Sequence, residues 1–260
     1  MKLTFLGTGT SQGVPVIGCR CEVCCSADWR DQRLRTSAMI ECGECRIVID
    51  AGPDFRQQML RTGVRHLDAI LLTHFHKDHT GGLDDVRAFN FVDYPTIRPI
   101  DIYATHATST VIRKDYDYAF VENKYRGVPE MHLHEIEHHT PFYIKGVEVI
   151  PIRGKHSERF EITGYRIGRM AYLTDFKQIS ASEIEKLHGV EILAVNALRF
   201  KPHDSHFSVE EALDVISQVK PHRAYLTHMS HEIGLYAEAN DKLPQGVELA
   251  YDTLTIEIED

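Results

Sequence analysis

A short apolar run, Ala69-Ile70-Leu71-Leu72, opens straight into Thr73-His74-Phe75-His76-Lys77-Asp78-His79 and then Thr80-Gly81-Gly82. An apolar run of this kind reads as a buried strand. Four ligand-type side chains, His74, His76, Asp78 and His79, crowd the six positions at its end, an arrangement that would repel or compete near a cation unless these residues were its ligands. If the backbone stays extended through His74 and His76, their imidazoles project to one side and take one ion. Asp78 and His79, after the chain turns, face a neighbouring position. A histidine-rich surface loop explains this less well, because such tracts seldom follow an apolar strand and precede Gly-Gly.

Four donors cannot close two coordination shells, so further ligands must come from other strand ends. The sequence supplies them in order: His156 after the run Val147–Ile152, Asp175 after Ala171–Leu173, and His228 after Ala224–Leu226. Each is expected where a strand empties into a loop, the usual place for chemistry in α/β folds. Other strand-like runs are Leu3–Leu6, Arg46–Ile49, Ile102–Ala104, Ile192–Val195 and Thr253–Ile258. Helical segments are interleaved, giving an α/β class. The clearest helix is Ser208–Val219, where Ser208 caps, Glu211 completes a capping box, Ala212, Val215, Ile216 and Val219 form the apolar stripe, and Pro221 ends it. Repeats, low-complexity tracts and Gly/Ser linkers are absent from the sequence, which favours one domain over residues 1–260.

The set His74-x-His76-x-Asp78-His79 with later His156, Asp175 and His228 resembles the ligand pattern of the metallo-β-lactamase superfamily across nearly the whole chain. The Asp50-Ala51-Gly52 turn resembles it too, at a place where an aspartate braces the histidine loop. The resemblance implies a four-layer αββα sandwich. It also implies His74, His76 and His156 on one divalent metal, Asp78, His79 and His228 on a second, and Asp175 bridging.

Cys19-Arg20-Cys21-Glu22-Val23-Cys24-Cys25 follows a loop containing Gly13, Pro15 and Gly18. Thiolates this close wrap one tetrahedral Zn²⁺, and His231, three residues after His228, is the natural fourth donor. Spacing alone leaves Cys24 and Cys25 unranked. The pairing of this loop with Thr227-His228-x-x-His231 resembles the PhnP-like cyclic phosphodiesterase group, which implies a structural zinc on Cys19, Cys21, Cys24 and His231. Cys42 and Cys45 flank Gly43-Glu44 as a hairpin would.

Two cations bridged by Asp175 would lower the pKa of a shared water, making a metal-bridging hydroxide the nucleophile. Asp78 and His206 are the expected catalytic residues. His206 lies in His203-Asp204-Ser205-His206-Phe207-Ser208 before the helix, where it can meet a phosphate oxygen or the leaving group. This stretch also resembles the corresponding segment of superfamily phosphodiesterases, including tRNase Z. His132, His134, His138 and His139 read as an exposed, histidine-rich connection to which the sequence assigns no partner. The segment 113–130, with Tyr116, Tyr118, Phe120 and Tyr125, reads either as a solvated helix with aromatic anchors or as a cover for the site.

The expectation is a metal-dependent hydrolase, foremost a phosphodiesterase acting on a small cyclic phosphate or nucleotide-like ester. The alternatives are a lactone or thioester hydrolase, a tRNase Z-like nuclease, and a non-catalytic metal-binding accessory protein. Its cofactors are two active-site divalent ions, zinc or manganese, and one structural zinc. The net charge of −9 argues against nucleic acid beyond nucleotides. The expected partner is a small phosphate ester, without membrane and with a homodimer left open. Six cysteines and an N-terminus without a signal-like apolar core make the cytoplasm the expected compartment.

Overall fold

The structure is a computed structural model that describes residues 1–158 and 160–258. In chain order its first half contains β1 (Lys2–Gly7), β2 (Ser37–Cys42), β3 (Cys45–Ile49), α1 (Phe55–Thr62), β4 (Ala69–Leu71), α2 (Lys77–Thr80), α3 (Arg87–Asn90), β5 (Ile100–Thr105), α4 (His106–Asp115), α5 (Asp117–Phe120) and β6 (Met131–Ile136). The second half contains β7 (Phe142–Ile144), β8 (Val147–Ser157), β9 (Phe160–Ile167), β10 (Met170–Leu173), β11 (Gln178–Ile179), α6 (Ala181–Glu185), β12 (Ile192–Asn196), α7 (Val209–Val219), β13 (Arg223–Thr227), α8 (Tyr236–Asn240), β14 (Val247–Leu249) and β15 (Thr255–Glu257). One sheet runs β15-β1-β2-β3-β4-β5-β6. The other runs β11-β8-β9-β10-β12-β13-β14, with β7 paired to β8.

Side-chain alternation makes these sheets the inner layers of an αββα sandwich. Ile47, Ile49, Ala69 and Leu71 of the first sheet meet Tyr172, Ile192, Ala194 and Tyr225 of the second in a central core. The residues between them point the other way. Val48 and Ile70 pack with Phe55 and Met59 of α1 and Ile112 of α4, while Leu193, Val195 and Leu226 pack with Ala212, Val215 and Val219 of α7.

Helix α7 forms as expected: Ser208 accepts from the Glu211 amide and the Glu211 side chain returns to the Ser208 backbone. Lys220 closes the helix in a left-handed conformation ahead of Pro221. The Cys42/Cys45 hairpin is likewise present, the two residues being partners across β2 and β3.

Three expectations need correction. His156 lies within β8, at a register shift between Lys155 and Ser157, rather than in a loop beyond a shorter strand. His132 and His134 belong to edge strand β6, and partners exist: His134 Nε2 is 2.8 Å from Asp101 Oδ1, His138 Nε2 is 2.8 Å from Thr163 Oγ1 and His139 Nε2 is 3.0 Å from Glu137 Oε2. The last strand is shorter than Thr253–Ile258, because Thr253 turns with φ 75° before β15 begins. The 113–130 segment forms the end of α4 and all of α5. The Tyr116 hydroxyl donates to the Thr80 carbonyl at 2.7 Å and so braces the back of the histidine loop, Tyr118 donates to Asp84, and Tyr125 is exposed.

Candidate metal centre and active site

Parallel pairing of β3 with β4, and of β10 with β12 and β12 with β13, brings several carboxyl-terminal strand ends to one rim. Asp50, Asp175 and His228 leave that rim with φ of 63°, 61° and 57°. Left-handed backbone at non-glycine residues costs on the order of 1–3 kcal/mol each and persists where surrounding bonds over-determine it, often at functional sites. Here it aims three polar side chains into one buried volume.

The histidine loop needs a close backbone approach. A Cβ on Gly52 would lie 1.9 Å from the Asp78 carbonyl oxygen, and one on Gly82 would lie 2.1 Å from that of Gly52. Glycine at both positions lets the Ala51 amide donate to the His79 carbonyl and the Gly82 amide to the Ala51 carbonyl, each at 2.8 Å. The Asp50 turn is thereby joined to α2. The Asp50 carboxylate accepts from the Thr73 amide at 2.9 Å, the Thr73 hydroxyl at 2.8 Å and His79 Nδ1 at 2.6 Å. With Nδ1 engaged, His79 presents Nε2 to Asp78 Oδ2 at 3.2 Å and Asp175 Oδ2 at 3.3 Å. That nitrogen is buried and makes no hydrogen bond.

On the other side of the cluster, His74 Nε2 and His76 Nδ1 are 2.9 Å apart. His156 joins them, the three ligand atoms lying within 4.8 Å of one another. His156 donates Nδ1–H to the Ser205 carbonyl at 2.8 Å, which leaves Nε2 as its free lone pair. Asp78, Asp175 and His228 form a second group of the same kind, and Asp175 also groups with His74 and His79. The structure therefore brings together all seven residues expected around two ions, with Asp175 between the halves.

The protonation pattern follows from burial and charge. Burial lowers the pKa of His74 well below its ordinary value, and the neighbouring imidazoles add to that. Burial also lowers His228, to about 3. His79 shifts the opposite way: burial opposes protonation, but the Asp175, Asp50 and Asp78 carboxylates raise its pKa well above the ordinary value. Burial pushes Asp175 up, yet His228 and His79 beside it hold it well below the carboxylate range. His74, His76, His156 and His228 are thus held as neutral imidazoles and Asp175 as a carboxylate, the forms that bind cations, while the three carboxylates around His79 favour positive charge at its position.

His206 sits on the open side, its ring stacked on His228 at 5.0 Å and its Nε2 3.1 Å from Asp175 Oδ1. His203 is 5.1 Å further along, ring to ring. Three contributors escaped the sequence reading. Thr10 Oγ1 lies 3.1 Å from His228 Nε2, the Thr174 hydroxyl donates to Asp175 Oδ2 at 2.6 Å, and Asn196 clamps both the amide and the carbonyl of Phe176. The Gly7-Thr8-Gly9-Thr10 turn after β1 was the one signal pointing to Thr10.

The sulfur cluster is separate. His231 Nδ1 lies 3.4, 3.2 and 3.5 Å from the sulfurs of Cys19, Cys21 and Cys24. A tetrahedral ion with metal–sulfur bonds of about 2.3 Å and metal–nitrogen bonds of about 2.0 Å places S and N about 3.5 Å apart. Cys24 belongs to the group, while Cys25 is exposed and outside it. The Cys24 amide and then His231 pull the Cys21 thiol down to about 6, toward the thiolate that metals bind.

Comparison with known proteins agrees with this geometry. A family profile described as a beta-lactamase superfamily domain matches residues 45–229. A crystal structure of a diphosphatase from the PhnP family superposes with a TM-score of 0.92 at 40% identity, covering 99% of this chain and 98% of that one. Human tRNase Z, short form, superposes at 0.73 with 19% identity over 100% of both chains, a likeness of fold. An octanoyltransferase of Porphyromonas gingivalis is 44% identical over 98% of this chain, which spans only 51% of that protein's length.

Proposed function

This chain belongs to the beta-lactamase superfamily, and we propose that it is a metal-dependent hydrolase that cleaves a phosphodiester or diphosphate linkage in a small cyclic or nucleotide-like substrate. The observation that carries the reading is the convergence, in one buried volume, of His79 Nε2 with Asp78 Oδ2 at 3.2 Å and Asp175 Oδ2 at 3.3 Å, beside the His74, His76 and His156 group. A cation among them satisfies all three groups. The His74–His76 spacing of 2.9 Å is close to the roughly 3.3 Å expected of two nitrogens on one tetrahedral ion.

In this reading His74, His76 and His156 would hold one divalent cation, Asp78, His79 and His228 a second, and Asp175 would lie between them. Bound there, two such ions supply a nucleophilic water at neutral pH and stabilise the charge of an in-line displacement. The remaining work belongs to the chain. Asp50 fixes the His79 tautomer, Ser205 fixes that of His156, and Thr174 orients Asp175. His206, held by Asp175 and by the Ser205 hydroxyl at 3.0 Å, donates a proton to the departing oxygen. Cys19, Cys21, Cys24 and His231 would hold a zinc that fixes the loop beside Thr10.

The likeness to a PhnP-family diphosphatase over both full lengths supports a phosphorus substrate. The octanoyltransferase likeness favours a second reading, hydrolysis of an acyl ester or thioester, since the same ions polarise a carbonyl. One experiment separates the two. Metal-loaded wild type, Asp78→Ala and His206→Ala are assayed on bis-p-nitrophenyl phosphate, 2′,3′-cyclic nucleotides and an octanoyl thioester. Phosphoester cleavage abolished by Asp78→Ala and reduced by His206→Ala by about 10²–10⁴-fold is the expected result. Cleavage of the thioester alone would establish the second reading, and a fully loaded but inert protein would contradict both.

A further inference from the structure

Two aromatic rings beside the histidine cluster lie outside the apolar cores formed by the described residues. Phe160 opens β9 across the hairpin from Ser157, the neighbour of His156, and is 37% exposed. Phe75 lies between His74 and His76 and is half-buried. Neither contributes to any of the three apolar clusters that hold the sheets and helices together. Instead they pack on one another at 5.5 Å, ring to ring, with an interplanar angle of 75°, and Phe160 packs on His76 at 5.6 Å with the same tilt. The rings then continue across the site from His76 to His156 at 5.2 Å and from His156 to His206 at 4.7 Å. Phe160 and His206 therefore stand at opposite ends of the row, with two imidazoles between them.

We infer that Phe160, held upright by Phe75 and His76, is a stacking wall for a planar base carried on the substituent that stays on phosphorus during hydrolysis. The inference rests on the phosphoester reading above and narrows its substrate class to nucleoside phosphates. Edge-on contacts with Phe75 and His76 fix the plane of the Phe160 ring, and its exposed part is left for a flat partner. His206 serves the departing oxygen at the far end, so the group nearest Phe160 is the one retained. A nucleoside suits such a row, because its sugar separates the base from the phosphate and lets the base reach the Phe160 ring while the phosphorus stays near the histidines. An aromatic face accepts any base without reading its hydrogen-bonding edge, so the wall selects nucleosides as a class.

Thymidine 5′-p-nitrophenyl phosphate and methyl p-nitrophenyl phosphate share a leaving group and differ only in what remains on phosphorus. With wild type, Phe160→Ala and Phe160→Trp, the measured quantity is the ratio of their kcat/KM values, and the methyl ester serves as an internal control for folding. The expected result is a wild-type preference for the thymidine ester that falls by roughly 5- to 150-fold in Phe160→Ala, mainly through KM, and survives in Phe160→Trp. Calorimetry of thymidine 5′-monophosphate should weaken by a similar factor in Phe160→Ala, while methyl phosphate binding stays unchanged. A wild type without the preference, or a ratio unmoved by Phe160→Ala, overturns this inference alone. Failure of the wild type to cleave either ester overturns the phosphoester reading, and this inference with it.

Discussion

Asp50→Asn tests the architecture of the site without touching a proposed ligand. The wild-type carboxylate is buried and receives the Thr73 amide on Oδ1, with the Thr73 hydroxyl and His79 Nδ1 on Oδ2. An asparagine of the same shape must put its NH2 against either His79 Nδ1 or the Thr73 amide, both of which now donate. The first choice forces the His79 proton onto Nε2, where it points at Asp78 and Asp175 and blocks the lone pair a cation needs. Losing the supporting partner of a ligating histidine typically weakens metal binding by about 10–100-fold. Loss of the charge-assisted bond costs roughly 1.5–3 kcal/mol, and at about 2–4 °C per kcal/mol for a chain of this size the melting temperature falls by roughly 3–12 °C. Titration with a competing chromophoric chelator measures the affinity, and calorimetry of the metal-free protein measures the stability. Wild-type affinity in a folded Asp50→Asn protein would refute the tautomer argument.

Other perturbations reach different parts of the molecule. Cys24→Ser should lower the metal content by one ion per chain while Cys25→Ser leaves it unchanged, read by elemental analysis; the reverse pattern would reassign the third thiolate. Thr10→Val removes the oxygen that lies 3.1 Å from His228 Nε2, and about 10–100-fold weaker binding of the second active-site ion is expected, with undisturbed affinity arguing that Thr10 merely packs there. Burial raises the Asp252 carboxyl to about 6 from an ordinary 3.8, against amide and hydroxyl bonds from Leu34 and Thr8 that pull it down. The native state then keeps a proton that the unfolded chain has released, so this group's stabilisation is present below about 3.8 and is lost as pH rises through about 6. Melting temperatures of wild type and Asp252→Asn should diverge across that window, the wild type losing more as pH rises, and parallel curves would contradict the assignment.

The sequence carried most clearly what local patterning encodes. The Ser208/Glu211 box marked α7 because both bonds of the cap lie within one turn, and the His74–His79 loop declared itself by crowding ligand types after an apolar strand. Less was legible where the signal is spread or weak. Strand β9, Phe-Glu-Ile-Thr-Gly-Tyr-Arg-Ile, passed unnoticed because Gly164 and charged residues break its pattern, and β2 was marked only by its hairpin turn, its extent hidden because Ser37, Ala38 and Cys42 are poor strand markers. His132 and His134 hid an edge strand, since exposed polar residues on one face look like a loop. Thr10 meets His228 across 218 residues of chain, a proximity that only the two-sheet packing creates. The choice of Cys24 over Cys25 likewise depends on the 3-10 turn Val23–Cys25, which turns one thiol toward His231 and the other to solvent.

The most direct test of the two-ion centre is the metal-to-chain ratio of purified, reconstituted protein measured by elemental mass spectrometry for wild type and Asp175→Ala. Close to three ions per chain in the wild type, falling to about one in Asp175→Ala with the remaining ion zinc, is the result expected of a paired centre beside a separate cysteine site. A wild-type ratio near one that is unaffected by Asp175→Ala would contradict it.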